Sequence, residues 1–214
     1  MIDNFYRTMT YLSPLVLLIG IIIGFLSYKK LSIVSKGLVW YFVMLLAVDI
    51  LSRILYLFNN NLIVLLIYSL LEMLMFSYFY FKYLYKSRQR LLLIAIALAT
   101  AYIIWELLAF NLDFKQFQSY SKVVDNFIII SLALAYFHEK INRFRESKWD
   151  NFQLNTVILI FFSVNLILFL PINFLINESL GIKVYFWQGI LITTVLFYLY
   201  LTWSIWKNGR TQRS

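Results

Sequence analysis

The chain has 214 residues, of which 62% are hydrophobic and 14% charged, with a mean hydropathy of +0.78. A soluble domain carries about 25% charged residues, so too little polar surface is present to coat a water-soluble globule, and an all-α polytopic membrane protein is indicated. Net charge is +9 and the pI about 9.6. The basic residues fall in short connections between apolar runs, which is the pattern of membrane orientation rather than of nucleic-acid binding.

The absence of cysteine excludes disulfides, thiolate nucleophiles, iron–sulfur clusters and cysteine-based zinc sites. The N-terminus carries Asp3 and one Arg7 before the first apolar run, without the basic n-region of a cleavable signal. Ser27-Tyr28-Lys29-Lys30 follows that run, which therefore reads as a retained span.

Crossing a bilayer takes about 20 apolar residues for ~30 Å of hydrocarbon. Seven runs near that length occupy 11–28, 36–58, 62–85, 91–110, 120–139, 152–176 and 184–206. The connections are short, with Asn59-Asn60-Asn61 an evident turn, so residues 1–214 read as one seven-helix transmembrane domain.

Fourteen lysines and arginines fall on one side of such a bundle, from Lys29, Lys30 and Lys36 through the clusters at 82–90 and 140–148 to Lys207, Arg210 and Arg213. Four fall on the other side, namely Arg7, Lys115, Lys122 and Lys183, and Arg53 lies within the membrane. The richer side is expected to be cytoplasmic, which puts the N-terminus outside and the C-terminus inside. The aromatic stretches at 78–85 and 198–206 then form an anchoring belt at the cytoplasmic interface.

In helix 1, Pro14 is expected in the first turn, where a missing N–H is harmless, and Gly20 and Gly24 permit close helix packing. Helix 2 carries Asp49 near its middle and Arg53 one turn further out, with Ser52 and Tyr56 on the same face. Helix 3 carries Glu72 near its middle, with Ser69 and Tyr68 three and four residues earlier. Glu106 follows Tyr102 by four residues in helix 4, and Asp125 follows Ser121 by four in helix 5. Both carboxylates lie about one turn from the outer ends of their helices, where hydration is the plain expectation.

In helix 6, Pro171 is expected to kink or end the helix, with Asn165, Asn173 and Asn177 satisfying freed backbone groups. Gln188 lies one turn into helix 7.

Charged groups at membrane depth cost at least about 2.5–3.5 kcal/mol each, so they face partners or water. Arg53 is expected to pair with Asp49 or Glu72, locking helix 2 in place. Four membrane acids then face one membrane base. At least one midplane carboxyl is expected to carry a proton, because desolvation favours the neutral form, or to be matched by a bound cation.

His138 is the sole histidine and cannot supply a zinc or bis-histidine haem site. Helix 7 has Thr193 and Thr194 at its centre rather than the buried lysine that a retinal Schiff base requires. No cofactor or metal is implied.

The stretch Asn59-Asn60-Asn61 through Tyr68-Ser69-Leu70-Leu71-Glu72, followed by Ser77-Tyr78-Phe79-Tyr80, resembles a pattern in small bacterial seven-helix membrane proteins of unassigned function. There a Tyr-x-x-x-Glu in helix 3 leads into an aromatic cytoplasmic end. The resemblance is confined to helices 2 and 3, carries no activity across, and implies Tyr68 and Glu72 as the first residues to test.

These polar groups favour the outer half of the bundle. They suggest an outward-facing pocket floored near Asp49 and Glu72 and lined by Arg53, Tyr68, Glu106, Asp125 and Gln188. The leading expectation is a receptor or sensor of a bacterial plasma (inner) membrane that binds a small ligand or protons there. It would signal to a cytoplasmic protein partner through its basic loops. A small-solute or proton-coupled transporter is the second reading, and a structural subunit of a membrane assembly the third. An enzyme ranks last, since no catalytic set is visible.

Overall fold

A computed structural model describes residues 2–57, 62–87, 89–109, 120–142, 151–175 and 180–211. The described residues are helical throughout, with no strand. In chain order the helices are α1 (Ile2–Leu26), α2 (Ile33–Tyr56), α3 (Leu62–Phe79), α4 (Arg90–Leu108), α5 (Ser121–Asn142), α6 (Phe152–Leu175) and α7 (Leu180–Thr211). All but α1 contain a segment long and apolar enough to cross a membrane, so the chain is a multi-pass membrane protein. The apolar part of α1, Thr10–Leu26, is shorter. Large apolar side chains such as Leu98, Ile167 and Leu196 stand exposed, as lipid contact requires.

The helices divide into two compact units, residues 1–61 with 187–214, and residues 62–186; the division falls within α7. In the first unit, Gly20 and Gly24 let α1 approach α2. A Cβ on Gly20 would collide with the Phe42 ring, and one on Gly24 with the Val39 side chain. Phe42 meets Tyr198 of α7 edge-on, with ring centroids 5.9 Å apart. Ser32 caps α2, its Oγ accepting from the Ser35 N–H at 3.2 Å, while its own N–H donates to Asn208 Oδ1 at 2.9 Å. Trp40 Nε1 donates to the Tyr28 hydroxyl at 3.1 Å beside Lys29 and Lys30, an aromatic girdle at that end.

Pro14 corrects the sequence reading. α1 begins at Ile2, so the proline is internal rather than in the first turn. The polar residues before the apolar run simply extend the helix. Without an N–H, Pro14 cannot bond the carbonyl four residues earlier, that of Thr10. Arg53 Nη2 donates to this carbonyl at 3.0 Å.

In the second unit α5 is the central rod, packed against α3, α4 and α6. Its buried positions recur at helical spacing, among them Asp125, Ile128, Ile129, Leu132, Tyr136 and Glu139. After Phe79 the last turn of α3 widens into a π-helical turn, Tyr80–Leu84, which directs Tyr80 inward. The Tyr80 hydroxyl donates to Asn155 Oδ1 at 2.6 Å, and Asn155 Nδ2 donates to the Ala133 carbonyl at 3.1 Å. Tyr85 donates to the Leu132 carbonyl at 2.6 Å. Glu139 accepts from the Lys86 and Ser87 N–H groups and from Ser87 Oγ, tying α5 to the connection before α4.

α6 runs through Pro171 to Leu175 without ending there. The Asn59–Asn60–Asn61 turn, Asn177, Lys115 and the loop bearing Arg143, Arg145 and Lys148 lie outside the described residues, as does the Asn173 side chain.

Candidate functional site

The polar centre of the second unit is built on Lys122, the second residue of α5. Its ammonium bridges Glu72 Oε2 of α3 and Asp125 Oδ2 of its own helix. All three side chains are buried, at 5%, 0% and 0% exposure respectively. The Tyr68 hydroxyl donates to Glu72 Oε1 at 2.6 Å. Rings of Tyr68 and Phe162 stand 4.4 Å and 5.8 Å from the Lys122 nitrogen, so the cation is enclosed by acceptors and π-faces.

Local sequence accounts for this geometry. Lys122, Asp125 and Asn126 share a face at i, i+3 and i+4, as Tyr68 and Glu72 do at i and i+4. The Lys122–Glu72 contact sets the start of α5 beside the middle of α3.

Glu106 and Ser121 extend the polar array toward helix ends. Ser121 Oγ donates to Glu106 Oε2 at 2.7 Å, and the Tyr102 hydroxyl is hydrogen-bonded to the same carboxylate. Glu106 is half-buried, and neighbouring Tyr120 is 38% exposed. Deeper in, Asp125 Oδ1 and both amide atoms of Asn126 are buried without a hydrogen-bond donor or acceptor partner among the described residues. Buried polar atoms are nearly always paired, so the Asn126 amide stands out beside the two carboxylates.

Several expectations change. Lys122 is not an outer-loop cation but the base of a buried ion triad, and it was not among the residues singled out from sequence. Its position at the start of an apolar run imitates an interfacial anchor. The i, i+3 spacing to Asp125 was the available signal. Asp125 is fully buried rather than hydrated, because α5 starts at mid-depth of α3 instead of at the surface.

Arg53 pairs with Asp49 (Nε to Oδ2, 2.7 Å), whereas Glu72 takes Lys122. The Arg53 and Asp49 side chains are 41% and 30% exposed. Ser69 turns back to the Leu65 carbonyl at 2.8 Å instead of joining Glu72. Asn165 donates to the Phe161 carbonyl at 3.1 Å, the backbone role expected of it.

Thus Tyr68, Glu72 and Asp125 converge in the second unit, with Glu106 joined to them through Ser121 and α5. Asp49, Arg53 and Gln188 belong to the first unit, where Gln188 Nε2 is shielded without a hydrogen-bond partner among the described residues. Among the described residues no three His, Asp or Glu side chains converge as a metal-binding group. No protein-family model, curated protein or solved structure matches this chain, and its chemistry is read from its own side chains.

Proposed function

We propose that this chain is a receptor- or sensor-like protein of a bacterial inner membrane. Its responsive element is the Lys122–Glu72–Asp125 centre, which takes a proton or small polar ligand. The likeness of helices 2 and 3 to small bacterial seven-helix proteins motivates the setting. The observation that carries the reading is the buried Asn126 amide, without a hydrogen-bond partner among the described residues, beside two carboxylates that share the Lys122 ammonium. A purely structural lock satisfies its buried polar atoms, since each unmade bond costs about 1–3 kcal/mol. Moving Lys122 into the core leaves fourteen basic residues against three, Arg7, Lys115 and Lys183, which strengthens the assignment of the basic end to the cytoplasm and to a partner there.

Thermal unfolding of the purified protein across pH and a panel of small polar solutes tests this. A ligand of the folded state raises its stability by mass action. A response in the native chain that is lost in Asp125→Asn supports the reading. Indifference of the native chain to pH and to every solute ends it.

Proton-coupled transport is the second reading, favoured by the Glu106–Ser121 contact, which extends polar groups from the ion triad to a helix end. Solute uptake into proteoliposomes that persists in the Glu72→Gln/Asp125→Asn double variant excludes it.

A further inference from the structure

The connection between α1 and α2 carries Lys29 and Lys30 in one 3₁₀ turn, Tyr28–Lys30, and Lys36 follows in the first turn of α2. Lys29 and Lys30 are exposed and Lys36 is half-buried. None of the three forms an ion pair with a described residue. The sequence of their unit, residues 1–61 and 187–214, holds only two acids, Asp3 and Asp49. Asp49 is on Arg53, and Asp3 stands at the opposite end of α1.

Tyr28 joins these cations to an aromatic face. Phe25 stacks on its ring with centroids 5.9 Å apart, and Trp40 Nε1 donates to its hydroxyl at 3.1 Å. Lys36 Nζ stands 5.3 Å from the centre of the same ring. Phe25 and Trp40 meet edge-on at 6.3 Å, yet they remain 49% and 52% exposed. Trp40 follows Lys36 by four residues, so ammonium and indole share one face of α2, the ammonium nearer its start.

The depth of this face suits a lipid. α2 is long and apolar enough to cross a membrane. At the rise of an α-helix, Lys36 and Trp40 lie about 5 Å and about 10 Å along it from Ile33. A leaflet passes from headgroups to acyl chains over about that distance.

We propose that this face binds one anionic phospholipid. Its phosphate lies among Lys29, Lys30 and Lys36, and its chains cover Phe25 and Trp40. Basic pockets beside spanning helices take anionic headgroups by charge, and half-exposed rings add apolar area to cover. A free phosphate meets the ammonium groups but leaves the rings bare. Lys207 and Arg210 of the same unit differ. Each lies over a tryptophan one turn back on its own helix, Trp203 at 4.9 Å and Trp206 at 4.1 Å, as interfacial anchors do. The lipid site is independent of the Lys122 centre and of the receptor reading.

The test uses the full-length protein in phosphatidylcholine nanodiscs carrying a small fraction of brominated lipid, whose bromines quench nearby tryptophan. Emission from Trp40 is the difference between the native chain and Trp40→Phe. Brominated phosphatidylglycerol is expected to quench it at a mole fraction about tenfold or more below that needed by brominated phosphatidylcholine. The preference should be lost in Lys29→Gln/Lys36→Gln and kept in Lys207→Gln/Arg210→Gln, which removes the same charge. Native mass spectrometry of the phosphatidylglycerol that stays bound through detergent extraction repeats the comparison without the tryptophan variant. Equal quenching by the two lipids in the native chain overturns the site. Equal loss in the two double variants reduces it to bulk charge and overturns it as well. Displacement by inorganic phosphate, at an ionic strength matched with chloride, overturns the lipid in favour of a free anion.

Discussion

The Arg53 guanidinium donates to the Thr10 carbonyl at 3.0 Å, the same carbonyl that Pro14 leaves without its helical donor. A proline within α1 and an arginine within α2 are therefore one device. The arginine, held by Asp49 one turn away, closes a gap that the proline opens. Arg53 stands explained as a helix lock, with no ligand required.

This device predicts a measurable coupling. Arg53→Gln is expected to lower stability, and less so in a Pro14→Ala background, where residue 14 supplies its own N–H. A double-mutant cycle from reversible unfolding should give a coupling of about 0.5–1 kcal/mol. Strict additivity contradicts it.

At the other end of the second unit, Tyr80→Phe removes the donor to Asn155 Oδ1 while keeping the ring. The orphaned amide oxygen is expected to cost about 1–3 kcal/mol. Tyr80→Phe with Asn155→Leu together should cost less than Tyr80→Phe alone, since no buried acceptor is then left unpaired. Melting temperatures of the three variants check this.

Gly24→Val places a branched side chain against Val39. Overpacking of this kind costs about 1–3 kcal/mol. The paired change Gly24→Ala/Val39→Ala, which vacates the contact, should recover part of the loss seen in Gly24→Ala.

Burial and the neighbouring Glu139 raise the Tyr85 phenol above its ordinary range. The neutral form is favoured by folding, so its contribution is complete below about pH 10 and falls away as pH rises beyond the unfolded value. Tyr85→Phe should therefore flatten part of the alkaline loss of stability. An unchanged alkaline limb contradicts the placement of the phenol in a desolvated position beside Glu139.

Much of this architecture is legible in the amino-acid order, because long apolar runs have few solutions in a bilayer. Tyr68 and Glu72 are also legible, since i, i+4 spacing places them together whatever surrounds the helix. Lys122 is not. A lysine at the margin of an apolar run serves equally as an interfacial anchor or as a buried counter-ion. The difference depends on where α5 begins beside α3, which no local pattern encodes. The partner of Arg53 was ambiguous for the same reason. Its bond to Thr10 depends on α1 starting nine residues before its apolar run, in a stretch where Asp3, Asn4, Arg7 and Thr8 interrupt the apolar residues.

The central claim is that Lys122 is the base holding Glu72 and Asp125 in a sealed core. Its most direct test is the stability of Lys122→Met compared with Lys122→Met/Asp125→Asn/Glu72→Gln. Breaking a buried ion set by removing one partner costs about 3–5 kcal/mol, whereas neutralising all of it is far milder. The account predicts a large fall in melting temperature for the single variant and substantial recovery in the triple. A native-like Lys122→Met, or a triple variant less stable than the single, contradicts it.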